Sequence, residues 1–166
     1  LRFFYNLKLE SITYSCIYLV MKLKFLIILL LASHTLLSAE SKKITITGND
    51  TMQFDLKSFE VNEGEKIELT FKNIGKVPKI AMGHNLVILK KGISAIAFGQ
   101  KALTAGANAT NALPDSVKTD TIAATKLLGP DESDTIKFTA PKPGDYEYVC
   151  TFPGHFAMMR GVMTVK

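Results

Sequence analysis

The 166-residue chain has no tryptophan, only two cysteines and only three histidines, so redox or metal chemistry has few places to sit. It also lacks an apolar run of the roughly 20 residues that a membrane-spanning helix needs. Beyond the first 24 residues its Lys/Arg groups cluster no further than short pairs, Lys42-Lys43 and Lys90-Lys91. These read as solvated strand ends, and nothing in them is a footprint for nucleic acid or an acidic membrane surface. Internal repeats and low-complexity linkers are missing as well, which argues against a second domain. The 47% apolar content suits one globular domain with an ordinary core.

A leader is expected ahead of that domain. Lys22 and Lys24 after Met21 form a basic start, Phe25 to Leu37 an apolar stretch, and Ser38-Ala39 a small-residue cleavage site, the pattern of a secretory signal peptide over 21–39. Residues 1–20 show neither helix nor strand periodicity. They are expected to be upstream, non-native sequence, or else part of a longer two-part leader. Cleavage after Ala39 removes Arg2, Lys8, Lys22 and Lys24 together with Glu10, lowering the formal charge from +5 to +2. No stable membrane insertion is expected of the mature domain, 40–166.

The same cut takes away Cys16 and His34. One cysteine, Cys150, and two histidines, His84 and His155, then remain. An exported protein with one cysteine cannot close an internal disulfide, and a lone thiol in an oxidising compartment needs burial or a metal.

From Ser41 onward, short alternating runs separated by turn residues predict strands at 44–47, 54–59, 67–71, 84–89, 135–139, 145–150 and 161–165. Between Lys91 and Asp120 the composition shifts to Ala, Gly, Thr and Asn. Ala95 to Ala105 is the best helix candidate there, read as an insertion packed outside the sheets. The expected fold is all-β, a Greek-key sandwich or flattened barrel of about 7–8 strands with one helical insertion.

The segment Cys150-Thr151-Phe152-Pro153-Gly154-His155-Phe156-Ala157-Met158-Met159 places a thiolate, an imidazole and a thioether within ten residues. Pro153-Gly154 calls for a tight turn that brings His155 and then Met159 back toward Cys150. Far upstream, Met82-Gly83-His84-Asn85 offers a second imidazole and, at Gly83, a backbone carbonyl that no side chain shields. Taken singly, a lone Cys is usually a small buried hydrophobe and a Met usually core filling. Taken together, His84, Cys150, His155 and Met159 form one donor set. Two imidazoles, a soft thiolate and a long axial thioether select copper cycling between Cu(I) and Cu(II), although zinc fits the same donors.

Three stretches, Val77 to Asn85, Thr125 to Gly129 and Cys150 to Met159, resemble the azurins among the blue-copper cupredoxins, with similarity from about Glu40 to Lys166. The resemblance implies His84, Cys150 and His155 as strong ligands of one type 1 copper, Met159 as the weak axial one and Gly83 as a distant carbonyl contact. It also implies that Asn85 ties the two ligand loops together and that the Phe152 N–H donates to the Cys150 sulfur. The expected function is periplasmic one-electron transfer, with c-type cytochromes and a periplasmic reductase or dehydrogenase docking briefly near His155, which is expected on an exposed loop with its ring edge as the doorway. Met82, Pro153, Phe156 and Ala157 would supply an uncharged docking face.

The chain departs from the family in having no disulfide, in Asn73 and Ala124 where many azurins carry surface histidines, and in Leu86 where a buried tryptophan is common. A copper carrier or buffer is the alternative function. A copper enzyme would need further histidines for a site open to substrate, and the mature chain has none to spare.

Overall fold

The computed structural model describes residues 40–166, with Met21 and Lys22. The leader and upstream extension expected over 1–20 and 21–39 lie outside the described residues apart from those two.

Nine strands form two sheets among the described residues: β1 (Lys42–Asn49), β2 (Gln53–Phe54), β3 (Ser58–Val61), β4 (Lys66–Asn73), β5 (Val87–Leu89), β6 (Thr121–Ala124), β7 (Ser133–Thr139), β8 (Gly144–Val149) and β9 (Arg160–Val165). One sheet runs β2-β1-β4-β7 and the other β3-β9-β8-β5-β6. β1 with β4 and β3 with β9 are parallel pairs joining strands that are not neighbours in sequence, while the remaining pairings are antiparallel.

Alternation sets the strands' faces. In β4 the inward positions are Ile67, Leu69, Phe71 and Asn73, so one side of the strand meets the core and the other meets solvent. Between the sheets Phe54 stacks edge-on against Phe71 at 5.6 Å and tilts against Tyr148 at 5.4 Å. Such contacts add about 0.5–1.5 kcal/mol each beyond area burial.

β5 is buried at every position because it has cover on both faces. Leu86 and Ile88 join the intersheet core. Val87 and Leu89, with Val149, pack instead under helix α2 (Ala95–Thr104) through Ala95, Phe98 and Ala102, and under Val117 of the 3₁₀ segment Asp115–Asp120. The helical insertion therefore lies outside the sheets, as its composition predicts.

Three strand expectations need correction. The single element expected at 54–59 is two strands, since Asp55 Oδ1 accepts the N–H groups of Thr47 (2.7 Å) and Leu56 (2.8 Å) and turns the chain between them. The strand expected from His84 begins only at Val87, with His84 reduced to a lone bridge to Leu128. β6 was not foreseen, because Thr-Ile-Ala-Ala is too short to show a period.

Candidate metal centre

The C-terminal loop is held at its base by the Cys150 N–H, which donates to the Met159 carbonyl at 2.9 Å. Gly154 sits at φ +85°, where a side chain would be strained. The His155 N–H donates to the Phe152 carbonyl, and the His155 carbonyl accepts from both Met158 (3.0 Å) and Met159 (2.8 Å). The Pro-Gly turn thus places His155 over Cys150 and returns Met159 to the core.

His84 arrives from the other direction, after the one-turn helix α1 (Lys79–Met82) that starts at Pro78. Two backbone hydrogen bonds to Leu128, 3.0 and 2.8 Å, fix it. A Cβ on the preceding Gly83 would lie 2.8 Å from the Lys79 carbonyl oxygen and 3.0 Å from Leu127 Cδ1. Only glycine fits there without displacing backbone.

These elements bring His84, Cys150 and His155 together, with donor atoms all within 4.8 Å of one another. The two Nδ1 atoms are 3.2 Å apart and Cys150 Sγ lies 3.7 Å from His155 Nδ1. An ion about 2.0–2.1 Å from two imidazoles and about 2.3 Å from a thiolate, in one plane with them, would separate such donors by about 3.5–3.8 Å. The observed 3.2 and 3.7 Å lie close to these spacings, so the three residues could together hold one ion. Met159 is fully buried on the same loop, with its methyl end against Gly48. Gly83 is buried beside His84.

Burial keeps the three donors uncharged when no metal is bound. Burial pushes the Cys150 thiol up to about 12, against the smaller opposing effect of backbone N–H groups from Asn85 and Phe152 that reach it. Burial first, and the neighbouring His84 second, bring His155 down to about 4. His84 is lowered mainly by burial, opposed by the field of Asp50 and by the Asn49 backbone. Its Nε2 is buried beside that backbone without completing a hydrogen bond. At neutral pH the metal-free pocket thus holds two uncharged imidazoles and a protonated thiol.

Asn85 ties the ligand segments together as expected: its Oδ1 accepts the Thr151 N–H at 2.8 Å and its Nδ2 donates to Thr151 Oγ1 at 2.9 Å. The sequence reading missed the Asn85 backbone N–H as a second donor to the thiolate. It also missed Asp50, whose carboxylate accepts the N–H groups of Lys76 (2.8 Å) and Val77 (3.4 Å) and braces the loop leading to His84. Asn49-Asp50 read only as a turn, and no local signal marks a bond across 26 residues. The expected exposure of His155 also needs correction, since it is 4% exposed, with the Phe152 ring tilted against it at 4.6 Å. Phe156 is half-buried because it lies on Gly99 of α2, where any Cβ would meet its ring.

Residues 40–166 match the family model for copper binding proteins of the plastocyanin/azurin family. An azurin of Achromobacter denitrificans is 41% identical over 147 residues, covering 84% of this chain and 94% of that protein. Azurin-2 of Alcaligenes xylosoxydans xylosoxydans is 40% identical, covering 72% and 93%. Among solved structures, the reduced auracyanin of Roseiflexus castenholzii superposes with TM-score 0.66 at 41% identity, covering 76% of this chain and 99% of its own. Auracyanin A of Chloroflexus aurantiacus, described as a "blue" copper protein, gives 0.66 at 32% identity over 76% and 100%. The chain belongs to the plastocyanin/azurin family of copper-binding proteins, and with His84, Cys150 and His155 gathered to fit a type 1 copper ion it is a blue-copper electron-transfer protein.

Proposed function

We propose that the mature protein is a periplasmic one-electron shuttle rather than an enzyme, and that His84, Cys150, His155 and Met159, with the Gly83 carbonyl as a weaker contact, would hold its one copper ion. The observation that carries this reading is the convergence of three buried donors at spacings of 3.2 and 3.7 Å. Copper bound there supplies Cu(I)/Cu(II) exchange. The protein's part is to hold the donors still: the Asn85–Thr151 bonds, the Cys150–Met159 clamp and the His84–Leu128 bridge all resist movement between oxidation states. N–H groups aimed at the thiolate withdraw electron density from it and raise the potential.

Burial of every donor favours electron exchange over chemistry on a bound substrate, which needs an open coordination position. The secretory pattern of residues 21–39 supports export to the periplasm, and no helix of the described residues is long and apolar enough to cross a membrane. For partners, the reading assigns c-type cytochromes and a periplasmic reductase or dehydrogenase, docking over Met82, Pro153, Phe156 and Ala157. Small, weakly charged contacts of this kind release quickly.

The test is the visible spectrum after adding Cu(II), with Cys150→Ser as control. An intense blue absorption that ascorbate bleaches and the variant lacks is expected. A colourless protein that nonetheless binds one copper would overturn the shuttle and favour a copper carrier.

A further inference from the structure

Beside the ligand loop lies an open groove of about 500 Å³. Its lining includes Ala157 and Met158, the latter 52% exposed, together with Lys57 and Arg160. Arg160 follows Met159 directly and begins β9, so the groove touches the loop that holds two of the three gathered donors. Six other lysines of the described residues are paired with acids, Lys42, Lys79, Lys101, Lys118, Lys137 and Lys166, while others without an acid partner, such as Lys43 and Lys66, do not line the groove.

Lys57 and Arg160 have no acid partner among the described residues. Arg160 spends only its Nε–H, on the Ala157 carbonyl at 3.4 Å, which leaves the forked end of the guanidinium toward solvent. Among the described residues, Glu147 is the one acid lining the groove. It accepts the Ala95 N–H at 2.9 Å. Asp55 turns its Oδ1 onto the Thr47 and Leu56 N–H groups.

Two free cations flanking an exposed thioether make a site for a carboxylate with an apolar neighbour. We propose that this groove receives an acidic surface segment of the redox partner, with Arg160 and Lys57 on its carboxylates and Met158 on its apolar part. The inference rests on the electron-shuttle reading and adds the partner's sign of charge: acidic redox proteins dock beside the ligand loop in preference to basic ones. Opposite charges at a docking face accelerate association by about 10-fold or more at low salt and lose that effect as salt screens them.

The experiment is stopped-flow electron exchange between the copper-loaded protein and two c-type cytochromes of similar potential, one acidic and one basic. It is run at about 10 mM and about 500 mM ionic strength, where screening differs most. The acidic cytochrome should react at least about fivefold faster at low salt, with the gap closing at high salt. The double variant R160E/K57E should abolish or invert that preference while leaving the blue band in place. A control, K43E/K66E, makes the same change in net charge near the starts of β1 and β4, about 20 Å along the strands from the copper end. It should leave the preference intact.

Equal effects from the two double variants, or a wild-type preference for the basic cytochrome, would overturn the groove as the docking point. Failure of the shuttle reading itself looks different: no blue band, and no redox cycling with hexacyanoferrate in the unaltered protein.

Discussion

Asn85 and Thr151, 66 positions apart in the chain, hold each other by three hydrogen bonds of 2.8, 2.9 and 3.3 Å. Asn85 follows a gathered histidine and Thr151 follows the gathered cysteine, so this buried pair sets the distance between the two halves of the site. Asn85→Ala leaves the Thr151 N–H and hydroxyl buried without partners, at about 1–3 kcal/mol for each group so stranded. Thermal unfolding should show a clear drop in Tm, larger for the copper-loaded protein than for the metal-free one. An equal drop in both would mean that the pair braces the fold alone.

Gly48 on β1 faces the same centre from the opposite sheet. A methyl group added there would lie 2.5 Å from Met159 Cε and 3.0 Å from Phe71 Cζ. Met159 is flexible but fully enclosed, so Gly48→Ala must move the thioether or the strand. Overpacking of this kind costs about 1–3 kcal/mol. The blue band should survive, since His84, Cys150 and His155 are untouched, while voltammetry should show a shifted reduction potential. An unchanged potential would remove Met159 from the copper's surroundings.

How much of this was legible beforehand follows from the distances along the chain. Cys150, His155 and Met159 fall within ten residues around a Pro-Gly turn, and the scarcity of Cys and His made His84 stand out. Most strands were legible from period, and the helix, expected at 95–105 and found at Ala95–Thr104, from the change in composition. What stayed hidden depends on contacts between distant segments. Asp55 spends its carboxylate on two backbone N–H groups and splits a strand, and Asp50 braces a loop 26 residues on. Neither shows in hydrophobic period. The burial of His155 against Phe152 was missed because a loop position says nothing about ring contacts.

The metal-free protein should be acid-sensitive in a particular window. The folded state holds His155 down to about 4, chiefly by burial and then by His84, whereas an unfolded histidine titrates near 6.5. Between those values the unfolded chain binds a proton that the folded one refuses, so stability falls with pH. It is intact above about 6.5, declines steadily toward about 4, and levels off for this group below that. Denaturant midpoints of the metal-free protein measured from pH 8 to 4 should show the decline. His155→Gln should flatten it.

Loading the site should release one proton. The folded protein keeps the Cys150 thiol protonated at pH 7, since burial pushes it up to about 12, while the metal-binding form is the thiolate. His155 and His84 are both lowered by burial and contribute no proton at neutral pH. Affinity should therefore rise about tenfold per pH unit between roughly 7 and 9, the slope of a single displaced proton. Zn(II), which suits the same donors without oxidising the thiol, allows calorimetric titration in two buffers of different ionisation heat. The difference in apparent heat counts the protons directly. A count of one that disappears in Cys150→Ser places the thiolate on the ion, and a count of zero in the unaltered protein would take Cys150 out of the ligand set.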